Sequence, residues 1–382
     1  MSGLSHLQAQ RVLARQLEVE PKLDSQGVEE LCKAHPDLEA SLRELARELS
    51  EASVEPPRVV GSYVKKLRSD AASRNRYVLL GEVSRGDTAV ILRVWDALME
   101  RPVAMKLLDT NALPKDRQEA EAAFARFLTE ARIAGQLEHP GVVPVYDLGA
   151  DERGRVYFTM PFFEGRNLDE VFELVRSRSD GWSLGRALLL LAKVCGIMAY
   201  AHSRGVIHRD LKPSNLIAGE FGEVYVVDWG LAKMLQPFGA ESENEAQGRV
   251  EADGAQPGQT LDGTVAGTPP YMAPEQAEGR VAEVSYRSDV YAMGAMLYRL
   301  LAGRAPYAPR RGTDEPSKTI ELIRRGPPTP LARLAPDAPR ALVAISEKAM
   351  ARDPKERYAN LEDLARDLQS FLEGRLGEDD RS

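Results

Sequence analysis

The chain of 382 residues has little cysteine: it contains only Cys32 and Cys195, which lie far apart in the sequence and form no CxxC pair. This excludes a small fold stapled by disulfides, and a reducing compartment is expected. The five histidines are scattered along the chain, so no cluster of histidine and cysteine indicates a zinc site.

Long hydrophobic runs are also missing. The first 30 residues carry charges throughout, which argues against a signal peptide. The most apolar segment, Ala187–Ala201, is interrupted by Lys193 and is too short to cross a bilayer. We therefore expect no membrane partner and a cytoplasmic location. The net charge of −8 argues against a broad nucleic-acid-binding surface, so nucleic acid is not an expected partner either.

Residues 1–72 are polar and have a helical pattern, which ends near Pro56 and Pro57. Apolar side chains recur there every three or four residues and form one mostly apolar stripe. The stripe consists of Val28, Leu31, His35, Leu38, Leu42, Leu45 and Leu49. It predicts a short helical segment that packs on itself or on the following domain. The alternative is a docking element for a partner or for self-association.

The pattern changes at Tyr77. Short β-type runs are predicted at 77–80, 90–94, 103–108, 142–148 and 156–160, with one helix at about 117–137. Beyond Gly165 the chain becomes mainly helical, with helices predicted at 184–203, 288–302, 338–351 and 361–372. Strands followed by helices indicate an α+β protein of two lobes. Residues 236–263 are acidic and glycine-rich and predict a mobile insertion, and 374–382 form a polar tail.

The strongest signal for chemistry is the segment His208–Asn215, which reads HRDLKPSN and follows an apolar helix. It places a carboxylate, an ammonium group and an amide on one loop. Such a set can accept a hydroxyl proton, neutralise a phosphate and bind a metal ion. Five fixed residue types at fixed spacing make the match specific.

This segment resembles the catalytic loop of the eukaryotic-type (Hanks-type) bacterial Ser/Thr protein kinases. The resemblance implies a bilobal kinase fold over 73–373, with a small β-rich lobe at about 77–163 and a larger helical lobe at about 164–373. It also implies that Asp210 is the catalytic base and that Lys212 stabilises the transferring phosphoryl group. Asn215 is then implied as a magnesium ligand.

The other family motifs follow in the expected order. The run Val103–Lys106 resembles the strand that carries the phosphate-binding lysine, and Glu130 on the next helix is its implied partner. The sequence Asp228-Trp229-Gly230 resembles the metal-binding D-F-G motif, with tryptophan in place of phenylalanine. Asp228 is therefore the second implied magnesium ligand, and the implied cofactors are ATP and Mg²⁺.

The nucleotide-binding groups are less uniform. The segment 158–165 resembles the hinge between lobes, so Met160, Pro161 and Phe163 are implied contacts of the adenine. Gly81 and Gly86 are the predicted glycines of the phosphate-covering loop. Only one of the three family glycine positions, Gly86, holds glycine, since the other two hold serine and alanine. The sequence therefore predicts weaker nucleotide affinity than an intact loop provides.

The segment Gly267–Glu275 resembles the substrate-docking segment of the family, and Lys212 with Thr268 is the Ser/Thr-specific signature. The resemblance implies a buried pair between Glu275 and Arg357, and a structural role for Asp289. Thr260 and Thr264 precede this segment and are candidate phosphosites.

Three hypotheses for function follow. The first is a protein Ser/Thr kinase that transfers the γ-phosphoryl group of ATP to Ser or Thr hydroxyls of proteins, acts in signalling and phosphorylates itself. The second is a pseudokinase scaffold, which the altered glycine-rich loop supports. The third makes residues 1–72 the main functional element, with kinase activity secondary to partner binding.

Overall fold

A computed structural model of the chain describes residue 12 and residues 25–43, 76–151, 153–235, 267–308 and 315–374. The chain divides into two compact units. The first comprises residues 1–131 and 144–162, and the second comprises 132–143 and 163–382. The predicted insertion 236–263, with Thr260 and Thr264, lies outside the described residues, as does the predicted tail after residue 374.

The N-terminal segment contains helix α1 (Ser25–Ala34) and a 3₁₀ turn at Pro36–Leu38. Its apolar side chains pack in one cluster, which includes four members of the predicted stripe. The cluster is formed by Val12, Val28, Leu31, Cys32, Leu38 and Leu42. The described part of the stripe thus packs on itself, whereas Leu45 and Leu49 lie outside the described residues. A docking or self-associating role for residues 1–72 stays a prediction.

The first unit is built on a five-stranded antiparallel sheet in the order β1-β2-β3-β5-β4. The strands are β1 (Tyr77–Arg85), β2 (Ala89–Asp96), β3 (Arg101–Leu108), β4 (Asp147–Ala150) and β5 (Val156–Pro161). Helix α2 (Arg117–Gln136) follows β3. Within this unit its apolar face packs on the sheet, where the ring of Phe127 lies 5.2 Å from that of Phe158.

The second unit is mainly helical. Together with the five-stranded sheet of the first unit, it confirms the predicted α+β class. The helices are α3 (Leu168–Ser177), α4 (Leu184–Ser203), α5 (Pro274–Ala277), α6 (Tyr286–Ala302), α7 (Pro316–Arg325), α8 (Leu331–Leu334), α9 (Arg340–Ala349) and α10 (Leu361–Leu372). Short strands lie between them: β6 (Arg166–Asn167), β7 (Val206–Ile207), β8 (Leu216–Ala218), β9 (Val224–Val226) and β10 (Lys233–Met234). Strands β6, β8 and β9 form one small sheet, and β7 pairs with β10.

Helix α4 is the apolar centre of the second unit. The side chain of Ser183 caps it by accepting a hydrogen bond from the Arg186 amide, which fixes where the helix begins. Among the described residues it is the one helix long and apolar enough to cross a membrane by length and composition alone. More than half of its most apolar stretch of 18 residues is buried within the protein, as expected of a core helix.

The predicted strand at 142–148 differs from the observed one, because β4 begins only at Asp147. Val142 instead forms a single parallel bridge with Val226 of β9, and the Val226 amide donates to the Gly141 carbonyl at 2.8 Å. These contacts join residues 141 and 142 to the small sheet of the second unit.

Gly294 lies at the close contact between α6 and α9. A Cβ atom added there would lie 2.6 Å from the Cβ of Ala349, which cannot rotate away, and 2.9 Å from the Cγ of Met350. Gly294→Ala is therefore expected to destabilise the protein by about 1–2 kcal/mol, because overpacking outweighs the gain in helix propensity. Chemical unfolding measures this change. In Gly196→Ala the added Cβ meets nothing within 4 Å, so this variant should be neutral or stabilised. Equal behaviour of the two variants would contradict the packing argument.

Candidate active site

The loop His208–Asn215 is fixed at both ends by strands. It leaves β7, which pairs with β10, and enters β8, which pairs with β9. Within the loop Arg209 adopts a left-handed conformation with φ of 69°, which is uncommon for a residue with a side chain. Residues 213–215 form a 3₁₀ turn that begins with Pro213, whose fixed φ suits that position.

Asp289 in the first turn of α6 anchors the backbone of this loop. Its carboxylate accepts hydrogen bonds from the amides of His208 and Arg209 at 3.0 Å each, and from the ring of His202 at 2.8 Å. Burial opposes ionisation of Asp289, but the hydrogen bonds from His202 and from the His208 amide outweigh it and lower the pKa of the carboxyl group. The buried carboxylate therefore stays charged and keeps the loop in one conformation.

The loop brings Asp210 and Lys212 together with Thr268 of the predicted docking segment. The Asp210 Oδ1 atom accepts from the Thr268 amide at 2.7 Å, and its Oδ2 atom lies 2.9 Å from the Lys212 Nζ atom. Lys212 also donates to the Thr268 hydroxyl at 2.8 Å. Asp210 is buried, so its carboxylate is oriented by fixed donors rather than by water.

The predicted metal ligands lie on neighbouring backbone segments of the second unit. The side-chain Nδ2 atom of Asn215 donates to the Asp210 carbonyl at 3.0 Å, which leaves the side-chain Oδ1 atom as the acceptor. The Val227 amide donates to the Asn215 carbonyl at 2.9 Å, which brings the residue before Asp228 next to Asn215. Asp228 has φ of 65°. An amide oxygen and a carboxylate fit Mg²⁺, which binds few protein ligands when phosphates supply the others.

The described residues contain no group of three or more His, Cys, Asp or Glu side chains suited to a metal ion.

In the first unit Lys106 of β3 pairs with Glu130 of α2. The ammonium group lies 2.6 Å from both carboxylate oxygens, and both side chains are largely shielded from water. By contrast, Glu121 on the same helix pairs with Arg117 on the exposed side. The predicted pairing of Lys106 is therefore observed in the structure. The pair fixes the position of a cation on the sheet.

The predicted nucleotide-binding residues fall on several elements. Met160 and Pro161 end β5, opposite Ala104 and Val103 of β3. Phe163 opens the main segment of the second unit, where its ring stacks on that of Tyr225 at 4.4 Å. Their roles as adenine contacts stay predictions.

The two predicted loop glycines do not lie together. Gly81 lies within β1, opposite Arg93, whereas Gly86 lies in the turn between β1 and β2 and donates to the Ala89 carbonyl at 2.9 Å. A Cβ atom at Gly86 would make only an ordinary contact, at 3.6 Å from the Ala89 oxygen. The turn therefore does not require glycine at this position.

Sequence reasoning missed Gln276. Its side-chain nitrogen donates to the Arg209 carbonyl at 2.9 Å, and its side-chain oxygen accepts from the Ala273 amide at 3.2 Å. Gln276 thus joins the predicted docking segment to the predicted catalytic loop. A single glutamine beside the motif gives no signal of its own, so only the fold reveals this contact.

Comparison with known proteins agrees with this geometry. Residues 77–368 match the family described as protein kinase domain. The chain is 35% identical over 308 residues to the serine/threonine-protein kinase PknD of Protochlamydia amoebophila. The aligned stretch covers 78% of this chain and 30% of that protein. It is 34% identical over 311 residues to PknD of Chlamydia muridarum, covering 78% of this chain and 32% of that protein. The chain thus spans about a third of the length of these curated relatives. Because the family match extends over most of the sequence, the chain belongs to the Hanks-type protein kinase family.

Proposed function

We propose that this chain is a protein serine/threonine kinase that uses ATP and Mg²⁺. It transfers the γ-phosphoryl group to Ser or Thr hydroxyls of proteins, including its own. The observation that carries the proposal is the Asp210 carboxylate, held by the Thr268 amide and paired with the Lys212 ammonium group. A fixed carboxylate beside a cation suits a reaction in which a hydroxyl loses its proton while charge develops on phosphate.

Asp210 orients the acceptor hydroxyl and accepts its proton. The hydroxyl oxygen forms a bond to the γ-phosphorus as the bond to the β,γ-bridging oxygen breaks, so the leaving group is ADP. Lys212 neutralises charge on the transferring group, and its hydrogen bond to Thr268 keeps the ammonium group in place. Asn215 and Asp228 would hold magnesium, which would supply further neutralisation of the phosphates.

Lys106 binds the ATP phosphates in this proposal, and Glu130 positions it. Lys106→Met is expected to lower kcat/KM for ATP by about 10²–10³-fold, because a fixed charge on the phosphates is lost. Steady-state kinetics with varied ATP measures the change. Lys115→Met removes an exposed lysine of the same unit and should leave kcat/KM unchanged. A Lys106→Met enzyme within threefold of the wild type would contradict this role.

The proposed reaction is tested by incorporation of label from γ-labelled ATP with Mg²⁺ into a generic basic protein. The wild type is compared with Asp210→Asn, and the labelled residues are identified as Ser, Thr or Tyr. We expect label on Ser and Thr that is lost in the variant. A wild type that is stabilised by Mg-ATP but transfers no label would instead indicate a pseudokinase scaffold.

A further inference from the structure

Trp229 occupies the position that holds phenylalanine in the family motif. Its side chain is buried, with 1% of its surface exposed, and its ring centroid lies 4.7 Å from that of His208. The indole nitrogen donates a hydrogen bond to the Val226 carbonyl at 3.3 Å. Phenylalanine fills a similar space but has no donor, so this hydrogen bond is specific to tryptophan.

That hydrogen bond completes the anchoring of the backbone before Asp228. The Val226 amide donates to the Gly141 carbonyl at 2.8 Å, and the Val227 amide donates to the Asn215 carbonyl at 2.9 Å. The Val227 carbonyl lies 3.2 Å from the His208 Nε2 atom. With the Trp229 bond to the Val226 carbonyl, all four backbone polar groups of Val226 and Val227 are hydrogen-bonded.

The ring of His208 connects this backbone to the catalytic aspartate. Its Nδ1 atom accepts from the Asp210 amide at 3.3 Å, so the neutral ring carries its proton on Nε2. The Nε2 proton is then donated to the Val227 carbonyl. Trp229 packs on this ring and covers it. The Asp210 amide and the carbonyl before Asp228 are thus both hydrogen-bonded to one buried histidine, against which Trp229 packs.

Asp228 itself adopts a conformation that needs such support. Its φ of 65° lies in the left-handed region, which a residue with a side chain rarely occupies unless its surroundings impose it. Anchored backbone lies before it, and the buried Trp229 follows it. On the far side the Ala232 amide donates to the Trp229 carbonyl at 3.0 Å.

We propose that Trp229 is a positioning residue: its indole N–H fixes the backbone so that the Asp228 carboxylate is already placed for the metal in the nucleotide-free protein. This rests on the proposed function in one respect, since it takes Asp228 as a magnesium ligand. A ligand placed in advance binds metal without a conformational cost.

The test removes the indole N–H of residue 229 and keeps an aromatic ring at that position. Trp229→Phe is compared with a protein that carries 3-benzothienylalanine at position 229, in which sulfur replaces the indole N–H at nearly constant shape. Trp182→Phe is the matched control, because Trp182 lies in the same unit with its ring against Arg186. The benzothienyl protein keeps the test decisive if Trp229→Phe fails to fold.

The first readout is amide hydrogen exchange in the full-length, nucleotide-free protein. Both changes at position 229 are expected to speed exchange at residues 226–232 by about threefold to tenfold, the factor that one net hydrogen bond supplies. Trp182→Phe should leave that segment unchanged. Unchanged exchange in the position-229 proteins would overturn the proposal, as would faster exchange spread evenly over the second unit.

The second readout is the Kd for Mg²⁺, measured by calorimetry with a non-hydrolysable ATP analogue at saturation. The Kd should rise by about twofold to tenfold in the position-229 proteins, in inverse proportion to the fraction of molecules in which Asp228 is placed to bind metal. Faster exchange with an unchanged Kd would assign Trp229 a merely structural role and overturn the proposal. Neither readout needs phosphoryl transfer. A wild type without transferase activity therefore refutes the proposed function while these measurements still decide the role of Trp229.

Discussion

Asp210→Asn is expected to lower the rate of phosphoryl transfer by a factor of about 10²–10⁴, the range that general-base groups contribute. The asparagine oxygen still accepts from the Thr268 amide, which lies 2.7 Å from the Asp210 Oδ1 atom in the wild type. The side chain has lost its basic oxygen, however. The new NH₂ group also faces the Lys212 ammonium group, which lies 2.9 Å from the Asp210 Oδ2 atom. Catalysis and the position of Lys212 are thus both affected.

The kinetic constants separate this effect from a loss of fold. The fall should appear in kcat, with KM for ATP changed little, because Asp210 is assigned to the acceptor hydroxyl. Asp337→Asn makes the same chemical change at an exposed site of the second unit and should leave both constants unchanged. An Asp210→Asn enzyme that retains a tenth or more of the wild-type rate would exclude Asp210 as the base.

The sequence singled out the loop His208–Asn215 because the residues of its motif are close together in the chain. Asp210, Lys212 and Asn215 lie within six positions, and strands on either side leave the loop little freedom. The pair of Lys106 and Glu130 lies 24 positions apart, yet the regular geometry of one strand and one helix fixes it. Resemblance to the family was enough to identify both.

Contacts between distant segments could not be predicted in the same way. The pattern around Val142 is that of a strand, but its actual partner is Val226, which lies in a different part of the sequence. Strand β1 extends to Arg85, five residues beyond its apolar run, because the chain reverses in a tight turn and Arg85 pairs with Val90. Alternating hydrophobicity does not reveal such pairing, since Glu82, Val83, Ser84 and Arg85 are all exposed and only Val83 is apolar.

Arg357→Met is expected to destabilise the protein by about 3–5 kcal/mol, the cost of leaving one member of a buried ion pair alone. Two guanidinium nitrogens of Arg357 lie 2.8 Å from the two carboxylate oxygens of Glu275, and both side chains are fully buried. Ser288 donates to the same carboxylate at 2.7 Å. Arg357 also donates to the carbonyls of Ala351 and Arg287, at 2.7 and 2.8 Å. Methionine fills the space but satisfies none of these acceptors.

Chemical unfolding at neutral pH measures this loss. The matched control is Arg366→Met, which removes an exposed pair with Asp363 and should cost less than about 1 kcal/mol. In the double variant Glu275→Gln, Arg357→Met no buried charge is left alone, so it should be more stable than Arg357→Met. If Arg357→Met and Arg366→Met were equally stable, the buried pair would contribute nothing beyond a surface pair.

The pH dependence of this loss identifies its cause. In the wild type, burial opposes ionisation of Glu275, but Arg357 and Ser288 outweigh it and hold its pKa below the ordinary value. The ionised Glu275 carboxylate therefore contributes to the free energy of unfolding above the pKa that it has in the unfolded chain. This contribution is lost as the pH falls through its pKa in the folded protein. Without Arg357, burial acts on Glu275 with less opposition and should raise its pKa, so the variant folds best with the carboxyl protonated. In the variant, the contribution of Glu275 to the free energy of unfolding is therefore complete below the unfolded pKa and falls as the pH rises.

The difference in unfolding free energy between wild type and Arg357→Met should therefore be largest near pH 7 and should become smaller below about pH 5. A difference that stays constant over this range would assign the loss to packing rather than to the buried charge.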